Sequence, residues 1–274
     1  MHLSWGLPVR PIRCRLLHVA TTVIDRDWAY RLCNPYWRLY RNACDGAVLS
    51  AAKWQQPLAA GRIHLIPAWI DCRSSCLTPV PHFYVHFEPQ GLEGAWMAGA
   101  FDRPLTLDPL PSLESEAETL AQAEDHPGNH LRLQALVDLA LAQALASLSP
   151  NHRAALVQHL SGPDPVAAAV AAIEADPAAP HTVDGLARRC DLSPDHFGRI
   201  FRQRHGRTPH RWLLERRIAL ASERLAASND GIDAIATASG FADRFHFTRV
   251  FTRLTGVAPG AYRRTVGRVH KSLT

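Results

Sequence analysis

The last third of the chain contains one short pattern twice. His246, Phe247, Arg249, Phe251, Gly256 and Pro259 repeat, at a shift of fifty positions, His196, Phe197, Arg199, Phe201, Gly206 and Pro209. At a shift of 49, Ile232, Asp233, Ile235 and Ala236 fall on Val183, Asp184, Leu186 and Ala187, so the copies differ by one residue in an intervening turn. Each copy reads as a short helix, a turn (CDLS or SGFAD) and a second helix that ends near glycine. This is the helix-turn-helix layout, whose second helix is free to enter a major groove.

Helical geometry sorts the side chains of these second helices. At about 100° per residue, Phe247, Val250, Phe251 and Leu254 share one stripe and are expected in a core. Phe241 precedes Asp243, a candidate N-cap, and is expected to tuck inward. Phe245 falls roughly 160° from Phe247, beside Arg249, Thr252 and Arg253 on the outer side. In the first copy Asp195, Arg199, Arg202 and Gln203 take the outer face, with Phe197, Ile200 and Phe201 inside. Between the copies, HRWLLERRIALASERLAAS has no internal Pro or Gly and reads as one helix of about 18 residues, roughly 27 Å long. Such a spacer suits two second helices about 34 Å apart, one turn of DNA.

Charge is divided along the chain in the same sense. Residues 181–274 hold 17 Lys+Arg against 8 Asp+Glu, a net +9, while residues 1–180 hold 13 against 17, a net −4. Apart from Lys53 and Lys271 the basic residues are all arginine. A basic third fits a polyanion, because each cation near a phosphate releases condensed counterions. Charge alone does not separate that footprint from a solvated face. The six cysteines, Cys14, Cys33, Cys44, Cys72, Cys76 and Cys190, form no C-x2-C pair and read as small buried thiols. Without a long apolar run or a signal sequence at the N-terminus, a soluble cytoplasmic protein with no membrane contact is expected.

From about residue 15 to 110, short alternating runs such as RIHLIP and HFYVHF are set off by Pro and Gly, as in an antiparallel sandwich or barrel. Beyond Pro111 the composition turns to Ala, Leu and Glu. In NHLRLQALVDLALAQALASLSP the apolar positions recur at three and four residues, with Asn129 as a candidate N-cap and Pro150 as a stop. That amphipathic helix must be covered, by its own domain or by a second subunit. A helix over Val166–Ala175 is bounded by prolines, and a domain boundary falls just before it.

Residues 165–268 resemble the DNA-binding domain of AraC/XylS-type transcription regulators, through IATASGF, FTRVFTRLTGVAPGAYRR and the preceding RWLLERRIALA. The resemblance implies base contacts from the start of each second helix: Asp195, Gly198 and Arg199, then Arg244, Phe245, His246 and Arg249. Asp195 has the wrong sign for phosphate and Gly198 offers no side chain, so Arg199 and Arg249 are the principal base readers. Arg202, Gln203 and Arg253 complete the expected face. More loosely, YWRLYRNACDGAVLSAAKWQQPLAAGRIHLIPAW followed by HFYVHF is similar to the cupin-like barrel of the family's sensor half. It implies an α+β multidomain chain: a cupin-like antiparallel β-barrel over 1–112, a helical dimerisation region over 113–162 and an all-α double helix-turn-helix domain over 163–274. It also implies a homodimer, an activator that recruits RNA polymerase on double-stranded DNA, and a small effector, often a sugar. Trp28, Tyr36, Trp37, Trp54, Trp69, His82 and Tyr84 are candidates to line the effector site, since aromatic faces stack on such ligands.

Cupin folds also house metal enzymes, which makes a metal-dependent enzyme fused to a DNA-binding domain the alternative. His82, Tyr84 and His86 alternate onto one strand face, and His64 could approach them. The HxH pair and nearby Glu of metal cupins are missing, so no catalytic residue, metal or cofactor is assigned. CRSSC, with Cys72 and Cys76, supplies only half of the four-cysteine zinc site used in alkylation repair.

Overall fold

The computed structural model describes residues 12–92, 99–161 and 163–264. Among the described residues nine strands come first: β1 (Arg13–Ile24), β2 (Arg31–Leu32), β3 (Trp37–Asn42), β4 (Ala47–Ala51), β5 (Trp54–Pro57), β6 (Ile63–Ile66), β7 (Cys72–Cys76), β8 (Val80–Gln90) and β9 (Leu105–Thr106). They pair as two antiparallel sheets, ordered β1-β8-β3-β6-β9 and β2-β7-β4-β5. The antiparallel architecture is the expected one. Among the described residues no strand pair closes the two sheets into a barrel, so they stand as a sandwich.

Alternation along the strands builds two cores. On β3 and β8, Trp37, Leu39, Phe83, Val85 and Phe87 face helices, where they pack with α1 (Pro111–Ala121), α2 (Pro127–Ala146) and α3 (Pro150–Ser161). The intervening residues Tyr40 and Tyr84 face the second sheet, with Trp28, Leu49 and Cys72. A side-chain period of two on a sheet covered on both faces requires this split.

On α2, Leu133, Leu136, Val137, Ala140 and Ala144 are buried in the chain's own core, so the helix is covered from within. Its cap differs from the expected one. His126 occupies the N-cap and accepts from the Gly128 amide at 3.0 Å, while Asn129 lies inside the first turn and donates to the Glu124 carbonyl. Pro127 explains the shift, because proline is favoured at the first helical position and sets the start three residues upstream. Pro150 likewise does more than stop a helix, since it begins the next one. Of the cysteines, all free, Cys14, Cys72 and Cys76 are buried as expected, whereas Cys44 is exposed in the turn ahead of β4.

The C-terminal helices are α4 (Ala167–Ala175), α5 (Val183–Arg188), α6 (Pro194–His205), α7 (Pro209–Ala227), α8 (Ile232–Ala238) and α9 (Arg244–Thr255). The duplication in sequence is a duplication in structure. α6 and α9 each span 12 residues and end on a left-handed glycine, Gly206 at φ 69° and Gly256 at φ 80°. Turn residues aligned at the 49-residue shift, Asp191 and Gly240, also share a left-handed backbone at φ 54° and 81°. Aspartate is among the few residues other than glycine that tolerate it. At Gly240 a Cβ would lie 2.6 Å from the Ala178 carbonyl oxygen, so close approach as well as φ demands glycine.

Candidate nucleic-acid interface and inter-sheet cavity

Each second helix is fixed by its inner face. Phe197 and Phe201 are fully buried with Leu186, Trp212 and Leu213, and Ile200 packs against them partly buried. Phe247, Val250, Phe251 and Leu254 are buried with Phe241, Leu225 and Tyr262, in edge-on ring contacts that run Phe241–Phe247–Phe251–Tyr262 at 5.2 to 5.5 Å. Three phenylalanines of the second unit are therefore core. Phe245 is 85% exposed.

Around Phe245 the outer face of α9 forms an open concavity lined by Arg244, Phe245, Thr248, Arg249, Thr252 and Arg253. Thr248 was not singled out from sequence, although its place one turn from Arg244 and Thr252 is readable from helical spacing. Asp243 caps the helix by accepting the His246 amide at 2.7 Å, which commits that aspartate to the backbone. His246 is half-buried with its ring edge-on to Phe241 at 5.7 Å, so it stands beside the concavity rather than in it. Arg244 is tethered to Asp233 of α8 at 3.1 Å, and Arg249 and Arg253 are exposed. On α6 the expected residues Asp195, Arg199, Arg202 and Gln203 are all exposed, while Ser193 makes no side-chain cap bond. α7 joins the two units over 19 residues, about 28 Å of helix.

The candidate effector residues divide between two cavities. One, of about 230 Å³, lies against the inner sheet faces and is lined by Trp28, Tyr36, Arg38, Tyr40, His82 and Tyr84 among others. The other, of about 490 Å³, runs between the sheets and the C-terminal helices and takes in Trp37, Trp54 and Trp69. Trp69 sits at φ 64°, unusual for a bulky residue, and packs against the core of the second helix-turn-helix unit.

The smaller cavity belongs to both halves of the chain, because Val257 and Tyr262 also line it. The Tyr262 hydroxyl is 2.8 Å from that of Tyr36 and accepts from Asn34 Nδ2 at 3.0 Å. Arg38 in turn donates to Asn34 Oδ1. Nearby histidines are engaged in pairs: His82 Nδ1 with Asn42 Oδ1 at 2.7 Å, His64 Nδ1 with the Thr106 hydroxyl at 3.0 Å, and His18 Nε2 with the Tyr84 hydroxyl at 3.0 Å. Burial pushes His82 down to about 3 and His64 to about 4, so both are neutral near pH 7. Among the described residues no three His, Cys, Asp or Glu side chains converge as metal ligands.

A second junction between the halves is ionic, and sequence reasoning missed it. Glu88 of β8 is buried and accepts from Arg216 of α7 and, at 2.9 Å, from Arg15 of β1. Arg15 also reaches Glu223 of α7 at 2.9 Å, and Arg216 meets Glu174 of α4 at 3.2 Å. Burial alone would raise the Glu88 carboxyl, but Arg216 and Arg15 outweigh it and hold it below its ordinary value.

Residues 186–265 match the helix-turn-helix domain family. Over 84 residues the chain is 33% identical to the MmsAB operon regulatory protein of Pseudomonas aeruginosa, covering 31% of this chain and 27% of that protein. It is 30% identical over 86 residues to the raffinose operon transcriptional regulatory protein RafR of Pediococcus pentosaceus, 31% of each. With the arabinose operon regulatory protein of Salmonella typhimurium it shares 31% identity over 81 residues, 30% of this chain and 29% of that one. These matches span less than a third of the relatives' length. As a whole the fold is similar to that of ToxT from Vibrio cholerae, with a TM-score of 0.59 at 12% identity over 93% of this chain and 98% of that chain. It is also similar to ToxT bound to (E)-4-(8-methylnaphthalen-1-yl)but-3-enoic acid, at TM-score 0.61 and 11% identity over 92% and 100%. The C-terminal helices are thus similar to the helix-turn-helix domain of operon regulators, and the chain as a whole shares the two-domain fold of ToxT. No helix among the described residues is long and apolar enough to cross a membrane.

Proposed function

We propose that the protein is an effector-responsive, sequence-specific transcription regulator, an activator acting on double-stranded DNA as a homodimer and recruiting RNA polymerase. The observation that carries this reading is the duplicated 12-residue helix, buried on one side by phenylalanines and exposed on the other through arginines. Arg199 and Arg249 would read guanine, each worth about 1–3 kcal/mol of discrimination, and Phe245 would contact a thymine methyl. Arg202, Gln203, Arg244 and Arg253 would fix register on the backbone, with Asp195 accepting from a cytosine amine. His246 supports the fold of its unit more than base reading, given its contact with Phe241.

The operon-regulating relatives and the ligand-bound ToxT support a small effector. The cavity lined by Trp28, Tyr36, His82 and Tyr84 is our candidate site, and because Val257 and Tyr262 share it, an occupant would bias how the halves sit together. Such a bias requires tighter binding to one arrangement than to the other. Exposed Leu131 and Leu139 on α2 and Val157 on α3 support pairing through these helices. Domain limits near residues 112 and 162 and a cytoplasmic location belong to the same reading, which includes no catalytic step. Genomic footprinting of the bound sites tests it: a shared sequence motif upstream of a small set of genes is expected, and binding without sequence preference would refute it.

A further inference from the structure

We infer that an exposed basic concavity on the N-terminal sheets, built around Lys53 and Arg73, holds the phosphate backbone of the DNA beside the groove that α9 enters. The inference rests on the DNA-reading function proposed above and adds a contact from the other half of the chain.

Charge singles the concavity out. Residues 1–180 carry 13 Lys+Arg against 17 Asp+Glu, yet four of those cations, Arg31, Lys53, Arg73 and Arg103, line one open surface formed by β2, β7 and the β4–β5 turn. Two of the four are answered there. Arg31 donates to both carboxylate oxygens of Asp71 at 2.6 and 2.7 Å, and Arg103 meets Asp102 at 3.1 Å. Lys53 and Arg73 are exposed and, among the described residues, form no ion pair. Two uncompensated cations on one surface of an acidic half fit a polyanion better than a solvated face of mixed charge.

Position selects the polyanion. Arg31 ties the concavity to the end of α9: its guanidinium packs so closely on Gly256 that a Cβ there would lie 2.8 Å from it, and Cys33 donates to the Leu254 carbonyl at 3.3 Å. The 12 residues of α9 make ~18 Å of helix, whereas the major groove is ~12 Å wide. Laid across the groove with its first turn on the bases, such a helix ends at the phosphates that border it. α6 ends toward the same surface, since Gly206 lines the larger cavity together with Trp54, Asp71 and Asp102, all of which the concavity shares. The free cations thus stand where two groove-bound helices leave the duplex, and a lysine and an arginine without fixed partners supply backbone contact that carries no sequence.

The test uses the purified full chain and a duplex that it selects from a random pool, in two lengths, one extending a full helical turn past the α9 half-site and one cut at its edge. Lys53→Gln and Arg73→Gln should each reduce the slope of log affinity against log salt by about 0.9 on the long duplex, which is roughly a 5-fold loss at 0.15 M salt. The loss should be similar on an unrelated sequence of the same length. On the short duplex parent and variants should bind alike. Arg26→Gln, at an exposed arginine outside the concavity, should leave the slope unchanged. Both test positions are exposed, so the melting temperature should not move, and if one variant fails to fold the other decides. An unchanged slope in both variants would overturn the inference and leave the concavity to another anion, an acidic protein surface included, with the DNA-reading function intact. An equal fall in Arg26→Gln would reduce the effect to net charge and overturn it as well. A parent chain that selects no duplex would overturn the function and the inference together.

Discussion

Replacing Glu88 by glutamine should loosen the junction between the sheets and α7 by about 3 kcal/mol, the low end of the cost of removing one partner from a buried ion pair. The arms of this junction are unequal. Arg15 is 44% exposed in its side chain, so its share is screened and small. Arg216 is 15% exposed against 10% for Glu88, and Glu174, itself 28% exposed, compensates it only in part. Most of the loss therefore falls on Arg216, left buried with one carboxylate fewer. The assay is urea denaturation followed by tryptophan fluorescence, with hydrogen exchange of the α7 amides. Glu88→Gln should lower stability and expose α7 to exchange, whereas the double variant Glu88→Gln with Arg216→Met should recover most of it, since the stranded charge is gone. Stability of Glu88→Gln within ~0.5 kcal/mol of the parent, the range of an ordinary surface change, would refute the assignment.

Other consequences follow from the same geometry. Arg249→Ala should relax preference at one base position at a cost of about 1–3 kcal/mol, measured by competition with single-base variants of the site; equal loss on all sequences would contradict base reading. Phe245→Ala should leave folding stability unchanged within ~0.5 kcal/mol, because the ring is 85% exposed, while weakening binding where a thymine is required. Acidification should destabilise the sheets: unfolded histidines take up protons near 6.5, but His64 only near 4 and His82 near 3, so unfolding binds protons as pH falls between these values. Glu88, held below 4.5 in the fold, acts in the same direction at lower pH, and a denaturation midpoint that does not move between pH 7 and 4.5 would contradict the neutral burial of the histidines. Gly240→Ala should cost at least ~1 kcal/mol from backbone strain alone, with the contact to Ala178 added, as thermal melting would show.

Much of the C-terminal architecture was legible in the sequence, because its rules are local. A period of 3.6 separated Phe247 and Phe251 from Phe245, and the repeat fixed both second helices, including their terminal glycines. Alternation likewise put His82, Tyr84 and His86 on one strand face. What sequence did not reveal depends on neighbours distant along the chain. Trp28, Tyr36, Trp37, Trp54 and Trp69 read alike as strand aromatics, yet two line the inter-sheet cavity and three the larger one, since strand order and the position of α7 decide which face meets which space. Glu88, Arg216 and Arg15 lie far apart in sequence, and nothing local marks them as partners.

We propose that one chain presents two base-reading helices, set about one turn of DNA apart by α7. Methylation interference on a site selected by the purified protein tests it directly. Two guanine contacts are predicted on one face of the duplex, in major-groove segments about 10 base pairs apart, with Arg199→Ala erasing one and Arg249→Ala the other. A single protected segment, or two that vanish together in either variant, would contradict the account.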